Sequence, residues 1–330
     1  YRKLPDIIES ASAGRAFVAV GTGSGESYDD RPGPDEASLC EFVSVMRGCD
    51  NHCSYCIVPY VRGRERSRVT SGIVDEVAEL VALGTREVTL IGQNVNSFSD
   101  EGRGFAELLG AVAGVAGLQR IRFATSHPKD LSDNVIEAVG SLAKVCEHIH
   151  LPVQSGSTEV LAAMNRSYTR EQYVALAQRI REGIPGVALT TDVIVGFPGE
   201  TDEQFRETVS LMNEIRFDSA FMFRYSVREG TRAAEFADDV PEEEKIARLK
   251  TIINLQHRLT SEVNAALVGS SVEVLVEGPS QKNEELLFGR SRTGKAVVFP
   301  GDAELAGRVV SMEISSVSAW TLHGVNPVLS

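Results

Sequence analysis

From residue 41 onward, the hydrophobic and polar positions along the chain alternate between two periods. Short runs rich in β-branched residues, typical of strands, are followed by segments with apolar residues at i, i+3, i+4 and i+7, typical of helices with one buried face. Six runs predict strands: Phe42–Met46, Glu87–Ile91, Arg120–Ala124, His148–Val153, Ala188–Val195 and Ser219–Phe223. Repeated strand–helix units predict parallel strands, and six are fewer than the eight of a closed (β/α)8 barrel. The pattern therefore indicates an α/β fold, a partial (β/α)6 barrel.

The last part of the chain follows a different pattern. A long helix is predicted from Pro241–Glu244 to about Ala266, because proline suits a first helical turn and acidic residues suit the positive end of a helix. After Gly269, short alternating runs separated by Gly, Asn and Pro predict a small all-β barrel of about 60 residues. Its strands are expected at Val272–Val276, Leu286–Gly289, Ala296–Phe299 and Arg308–Ile314.

The first forty residues contain a run rich in Gly, Ser, Asp and Pro from Gly21 to Pro34. No apolar periodicity crosses this run, which predicts a linker or loose extension. The chain begins with Tyr1 rather than Met, so we expect that an upstream segment is missing. The expected organisation is an extension over 1–40, the α/β domain over 41–266 and the β-barrel domain over 267–330.

Composition narrows the class of protein. Of the 330 residues, 42% are hydrophobic and 24% charged, as in soluble globular proteins, and no apolar run reaches the ~18–20 residues of a membrane span. We expect a cytoplasmic protein without a membrane partner. The net charge of −13 argues against a uniformly basic surface, so nucleic-acid binding would need local basic patches. One candidate patch contains Arg62, Arg64, Arg66 and Arg68.

Three of the five cysteines, Cys49, Cys53 and Cys56, fall within eight residues, at CxxxCxxC spacing. In a chain of this size and compartment, such clustering favours metal ligands over a disulfide framework. The three thiols follow the first predicted strand, at the end where α/β folds gather ligand-binding loops. A structural zinc site would want a fourth ligand, for which His52 is the nearest candidate, whereas an iron–sulfur cluster with three cysteines leaves one iron open.

The motifs resemble those of a known family. CxxxCxxC after the first strand of a partial barrel is the signature of the radical-SAM superfamily. The chain more closely resembles the MiaB-type methylthiotransferases over about residues 41–330, through the segments FVSVMRGCDNHCSYCIVPYVRGRERSR, TLIGQNVNSF, RFATSHP, HLPVQSGS, TDVIVGFPGET and VPEEEK. The predicted C-terminal barrel is similar to a TRAM domain, the RNA-binding module that usually ends these enzymes.

The resemblance implies two cofactors. Cys49, Cys53 and Cys56 would hold a [4Fe–4S] cluster whose open iron binds S-adenosylmethionine. Reduction would cleave the sulfonium of S-adenosylmethionine to give a 5′-deoxyadenosyl radical. This radical would take a hydrogen from an adenine carbon. The residues expected to bind S-adenosylmethionine lie at or just after the ends of the second, fourth and fifth strands, although each could instead only end a strand or turn. They are Gln93, Asn94, Asn96, Gln154, Ser155, Thr191, Asp192 and Gly196.

The resemblance also implies partners. They are a tRNA anticodon stem-loop and an electron donor such as flavodoxin or ferredoxin. Candidate RNA-binding residues are the four arginines of the basic patch together with Arg290 and Arg292, although a solvated basic loop is the simpler interpretation of the first four.

The leading functional hypothesis is addition of a methylthio group to C2 of N6-isopentenyladenosine beside the tRNA anticodon. Alternatives within the family are methylthiolation of a ribosomal-protein aspartate or of threonylcarbamoyl-adenosine. An alternative of another class is a non-catalytic RNA-binding protein with a structural metal. Members of the family carry an N-terminal domain with a second, auxiliary [4Fe–4S] cluster. Because this chain lacks those cysteines, we expect it to cleave S-adenosylmethionine but to complete sulfur insertion poorly.

Overall fold

The structure, a computed structural model, describes residues 4–17, 36–318 and 320–329. Its first element is helix α1 (Leu4–Ser12), none of whose residues is buried. This part of the predicted extension is therefore helical rather than irregular. The predicted linker Gly21–Pro34 lies outside the described residues.

The α/β domain contains eight strands, of which two are only two residues long. They are β1 (Cys40–Ser44), β2 (Met46–Arg47), β3 (Arg66–Ser67), β4 (Glu87–Ile91), β5 (Arg120–Phe123), β6 (His148–His150), β7 (Ala188–Val195) and β8 (Ser219–Arg224). The two short strands pair with each other in antiparallel fashion.

The six longer strands form one open parallel series. Strands β1, β4 and β5 pair in that order, as do β6, β7 and β8. A parallel bridge between Ile121 and Val145 joins the two groups, so the strands follow one another in chain order. This arrangement confirms the predicted partial (β/α)6 barrel, in which β1 and β8 are the outer strands.

Eight helices follow in the described part of the chain, and several begin at clear sequence signals. Helices α7 and α8 start with capping boxes, Thr169 with Gln172 and Thr201 with Gln204, which satisfy the free N–H groups of the first turn. None of the described helices is long and apolar enough to cross a membrane. The helices are α2 (Val58–Arg62), α3 (Thr70–Ala82), α4 (Phe105–Ala113), α5 (Asp133–Ser141), α6 (Thr158–Ala163), α7 (Arg170–Gly183), α8 (Asp202–Ile215) and α9 (Glu242–Ala265).

The two faces of the parallel strands are chemically different. The face under the helices is filled by residues such as Val43, Val88 and Val193, which are all fully buried in one apolar core. Because side chains alternate across a strand, their neighbours Phe42 and Asp192 lie on the opposite, concave face. That face is free to carry polar and exposed side chains.

The C-terminal domain is a closed five-stranded barrel with strand order β10-β11-β13-β12-β9. Four strands cover the predicted runs. The fifth, β13 (Thr321–Leu329), was not predicted, because Gly324, Asn326 and Pro327 interrupt its alternation. The remaining strands are β9 (Ser271–Ser280), β10 (Asn283–Ser291), β11 (Ala296–Pro300) and β12 (Val309–Ser318).

Two buried arginines of β5 attach this small barrel to the α/β domain. Arg120 donates to the Arg290 carbonyl at 2.7 Å and pairs with Glu273 at 2.9 Å. Arg122 donates to the carbonyls of Ser291 and Arg292, both at 2.7 Å. Arg120 is the first residue of β5, so the small barrel contacts the α/β domain at the amino ends of the parallel strands.

We predict that Arg122→Ala will destabilise the protein by about 3 kcal/mol. The substitution removes the Arg122 donor from two interdomain carbonyls, of which that of Ser291 keeps the Gly294 N–H. It also removes the 2.8 Å ion pair of the buried Glu87 carboxylate, which then keeps only Arg120 at 4.0 Å. Chemical denaturation measures the change. Arg206→Ala is the control, because the Arg206–Glu203 pair is exposed and its loss should cost less than about 0.5 kcal/mol. Equal stability of the two variants would contradict the prediction.

Candidate active site

The cysteine loop begins after β2 at Gly48, where any side chain would clash with the backbone. Gly48 has φ of +79°, and a Cβ at this position would lie 2.0 Å from the carbonyl oxygen of Arg64. Its N–H donates to Oε1 of Gln93 at 2.7 Å, which ties the loop to the segment after β4. Gln93, one of the residues expected to bind S-adenosylmethionine, therefore holds the cysteine loop in place through this hydrogen bond.

The other end of the loop is fixed against α6. The buried Ser54 donates its hydroxyl to the Ala163 carbonyl at 2.8 Å and its N–H to the Met164 carbonyl at 3.0 Å. The loop is thus held on both sides of Cys53. A loop anchored at two points keeps its ligands in place before anything binds.

The three thiols are free, and their surroundings differ. Cys53 is buried, whereas Cys49 and Cys56 are half-buried. Burial is the main cause that raises the pKa of both Cys49 and Cys56, so without a metal these thiols hold their protons at neutral pH. Metal binding would release those protons.

A buried arginine that the sequence pattern did not reveal faces Cys53. Nη1 of Arg166 lies 3.4 Å from the Cys53 sulfur, while Nε donates to the Tyr168 hydroxyl and Nη2 to the Pro152 carbonyl, both at 2.8 Å. Burial acts to lower the pKa of Arg166, but Tyr55, Tyr168 and Cys53 raise it above its ordinary value. The guanidinium stays charged, so it would offset the negative charge of Cys53 once this thiol binds a metal as a thiolate.

The donor set fits an iron–sulfur cluster. Clustered thiolates are the ligands that iron–sulfur clusters take, and the cation of Arg166 would balance part of their charge. Across residues 4–17, 36–318 and 320–329, no group of three His, Cys, Asp or Glu side chains is close enough together to hold a single metal ion.

A cavity of about 500 Å³ opens beside Cys56. It is bounded by the cysteine loop and by the carboxyl ends of β7 and β8. Two predicted cofactor residues, Gln154 and Asp192, line it, together with Tyr55, Cys56, Ile194 and Phe223 among others. The structure therefore brings the thiol loop and part of the predicted cofactor set to one place.

Gln154 has a strained backbone at this cavity. Its φ is +70°, rare for a residue other than glycine, and it bridges to β7 through hydrogen bonds with Asp192 and Ile194 at 2.8 and 2.9 Å. Asp192 in turn lies 3.3 Å from Nε2 of His150. Strain of this kind is concentrated at functional sites.

Unpartnered amides mark the end of β4 and β5. Both side-chain polar atoms of Asn96 and the Oδ1 of Asn94 are buried without a hydrogen-bond partner, as is the hydroxyl of Ser126, which was not in the predicted set. The Nδ2 of Asn94 donates to Asp130 at 2.7 Å. Buried polar groups without partners are rare, so these groups are suited to receive a ligand.

Three other predicted cofactor residues are engaged within the protein. The Ser155 hydroxyl lies 3.3 Å from that of Thr208, and the Thr191 hydroxyl donates to the Leu151 carbonyl at 2.9 Å. At Gly196, a Cβ would lie 2.4 Å from a carbon of Lys245, so this glycine serves close packing against α9. None of these three is among the residues that line the cavity.

Two of the predicted RNA-binding arginines, Arg68 and Arg292, are half-buried in ion pairs, and Arg290 pairs with Glu277 at 3.1 Å. Arg68 pairs with Glu76 at 2.6 Å and donates to the Ser44 carbonyl. Arg292 forms two 2.7 Å bonds with Glu147 at the domain interface. The sequence shows the charges of Arg68 and Arg292 but not their partners. Glu147 is distant from Arg292 along the chain, and Glu76, although near Arg68, was not recognised as its partner.

The remaining arginines lie in two places. Arg62 and Arg64 are exposed next to the cysteine loop, where Arg64 pairs with Asp50 at 2.9 Å, and Arg66 lies on β3. Arg290 lies on the small barrel with its guanidinium 5.3 Å from the Phe288 ring centroid, in a groove of about 470 Å³.

Comparison with known proteins identifies the class of the chain. Residues 43–212 match the model of the Radical SAM superfamily, and residues 265–325 match that of the TRAM domain. The solved structure of coproporphyrinogen III oxidase from Escherichia coli, a radical SAM enzyme, has a TM-score of 0.52 at 14% identity, covering 84% of this chain and 67% of that one. That likeness supports the fold.

Two relatives extend over nearly the whole chain. The tRNA-2-methylthio-N(6)-dimethylallyladenosine synthase of Syntrophomonas wolfei subsp. wolfei is 48% identical over 329 residues, 98% of this chain and 73% of that protein. The synthase of the same name from Acetivibrio thermocellus is 47% identical over 326 residues, 98% of this chain and 68% of that protein.

The matched domains and the site geometry agree on one class, a radical-SAM enzyme that carries a TRAM domain. Given identities near one half over almost its full length, the chain belongs to the family of tRNA-2-methylthio-N(6)-dimethylallyladenosine synthases. This confirms the resemblance seen in the sequence. The alternative of a non-catalytic RNA-binding protein is set aside.

We predict that Gly48→Ala will distort the cysteine loop and lower stability by more than about 2 kcal/mol, because strain at positive φ and a backbone clash add together. Gly186→Ala is a matched control: φ is +73° there, but nothing lies within 4 Å of the added Cβ. It should cost only about 1–2 kcal/mol. Thermal or chemical denaturation compares them, and an equal loss in both would show that the Arg64 carbonyl gives way.

Proposed function

We propose that this chain takes part in the methylthiolation of C2 of N6-dimethylallyladenosine next to the tRNA anticodon, as the part that binds and cleaves S-adenosylmethionine. The observation that carries the proposal is the anchored loop of three free cysteines beside a cavity lined by Gln154 and Asp192. The relatives that match almost the full chain are named for this activity, which favours it over the ribosomal-protein and threonylcarbamoyl-adenosine alternatives.

In this proposal Cys49, Cys53 and Cys56 hold a [4Fe–4S] cluster, which when bound supplies the electron that cleaves S-adenosylmethionine. The chain's own residues position and insulate it. Gln93 and Ser54 hold the loop through Gly48, Ala163 and Met164. Arg166 contributes a buried positive charge at Cys53.

S-adenosylmethionine is proposed to occupy the cavity beside Cys56. Asp192 offers a carboxylate to ribose hydroxyls, and the backbone around Gln154 and the side chain of Ile194 border the same space. The unpartnered amides of Asn94 and Asn96 are suited to the amino and carboxylate groups of the methionine moiety. We assign the reductant to a small carrier of the flavodoxin or ferredoxin kind, and the auxiliary cluster stays a prediction.

The tRNA is proposed to contact the protein in two places, at the carboxyl ends of the parallel strands and at the small barrel near their amino ends. Arg62, Arg64 and Arg66 lie beside the cysteine loop, while Arg290 lies in the groove of the small barrel. The groove lies near the start of β1, because Glu277 lines the groove and also acts on Cys40, the first residue of β1. Burial, followed by the carboxylates of Glu87 and Glu277, raises the pKa of the Cys40 thiol to about 12. Cationic and aromatic side chains together suit an RNA backbone and an unstacked base.

Replacing any one of Cys49, Cys53 or Cys56 by serine is expected to abolish cluster binding, because each supplies one of three thiolates. The anaerobically reconstituted chain should contain about four irons and four sulfides and absorb broadly near 400 nm, an expectation for one such cluster. Cys40→Ser is the control, since Cys40 lies at the far, amino end of β1. Full iron content in the loop variants would refute the ligand assignment.

We predict that Arg290→Ala will weaken tRNA binding about 3- to 10-fold, equally for all sequences, and reduce the salt dependence by about one phosphate contact. Filter binding at several salt concentrations measures both quantities. Arg206→Ala, an exposed arginine paired with Glu203 on α8, should leave them unchanged. If the two variants behave alike, the groove does not contact tRNA.

A further inference from the structure

Three exposed phenylalanines lie on the outer strands of the barrel: Phe42 on β1, and Phe221 and Phe223 on β8. We call them the aromatic strip. The residues are 68%, 63% and 52% exposed, whereas every other phenylalanine in the described ranges is less than half exposed. Phe221 and Phe223 lie on one face of the same strand, and exposed apolar surface grouped in this way marks a binding site more often than scattered apolar residues do.

The strip faces the interior of the barrel. Val43 and Met222, the neighbours of these phenylalanines, pack in the core under the helices, so alternation directs Phe42, Phe221 and Phe223 to the concave face. The Phe221 ring meets the His150 ring edge to face at 5.9 Å. Because β1 and β8 end the strand series, the strip borders the open side of the barrel.

One member of the strip, Phe223, reaches the cavity beside Cys56. Phe223 lines that cavity, as do Ile194 and Asp192. In the β7–β8 register Phe223 is opposite Ile194, and Phe221 is opposite Asp192. At about 3.3 Å per residue, Phe221 lies about 7 Å further from the cysteine end of the strand. Phe221 is therefore within reach of a substituent of a base that reacts beside the cavity.

We propose that the aromatic strip binds the dimethylallyl group of the target adenosine and so selects prenylated tRNA. This inference rests on the proposed function. The group is a branched five-carbon chain without polar atoms, so it gains from contact with phenyl rings and lacks any group to satisfy. A threonylcarbamoyl group would bring a carboxylate to the same rings and to Asp192, where it is disfavoured.

The test compares three anticodon stem-loop RNAs that differ only in the N6 substituent of the target adenosine: dimethylallyl, hydrogen or threonylcarbamoyl. Binding is measured by fluorescence anisotropy with the reconstituted chain in the presence of S-adenosylmethionine. We expect wild type to bind the prenylated RNA at least tenfold more tightly than the unmodified one, about 1.4 kcal/mol. Phe221→Ala and Phe42→Ala should reduce this ratio to about threefold or less.

Three controls isolate the effect. Leu329→Ala removes an equally exposed apolar side chain, 63%, from the end of β13 and should keep the full ratio. Phe221→Leu retains apolar contact and should keep most of it. Melting temperature and S-adenosylmethionine affinity should be unchanged in the variants. If Phe221→Ala fails to fold, Phe221→Leu and Phe42→Ala carry the comparison.

Each outcome decides the inference. A ratio that stays at the wild-type value in both alanine variants overturns it, and so does an equal loss of affinity for all three RNAs, which would indicate a general RNA contact. If wild type cleaves S-adenosylmethionine in the presence of the prenylated RNA while the variants keep the ratio, only this inference fails. If wild type binds none of the RNAs, the proposed function fails with it.

Discussion

Each parallel strand of the α/β domain must bury one face under helices, and the rest of the structure depends on this constraint. Residues such as Val43, Val88 and Val193 occupy that face and are inaccessible to solvent. Alternation then assigns the intervening residues to the concave side, where packing does not restrict their chemistry. Cys40, Phe42, Asp192 and Phe221 are all placed there by the same rule. The functional face is thus a consequence of how the core is built.

Buried arginines recur wherever the fold joins distant segments. Arg120 and Arg122 join β5 to the small barrel, Arg166 joins the cysteine loop to the end of β6, and Arg248 joins α9 to Glu200 and Asp202. In each case the guanidinium donates to carbonyls, carboxylates or a thiol, which offsets the cost of removing it from water. One planar group with five donors can bind several acceptors at once. This explains why arginine rather than lysine occupies these four positions.

The sequence predicted most of the α/β domain, because its helices and strands have strong and regular periods. Strands β4 and β7 have the predicted bounds, Glu87–Ile91 and Ala188–Val195. Prediction failed for β13, where Gly324 and Pro327 imitate a turn, and for α1, which lies in a segment read as an extension. In a closed barrel the neighbouring strands complete the hydrogen bonding of such an irregular strand, and this information is not local.

The sequence by itself determined the class of fold and the chemistry of the loop, because period and the spacing of Cys49, Cys53 and Cys56 are local properties of the chain. Only the tertiary structure decided which polar residues face the cavity and which serve packing. It put Gln154 and Asp192 at the cavity, but Thr191 and Ser155 in internal hydrogen bonds. It also assigned Arg292 to Glu147 and Arg166 to Cys53, pairs separated by more than one hundred residues. The physical reason is that a charge or an amide is defined by its partner, and partners come together only when the chain folds.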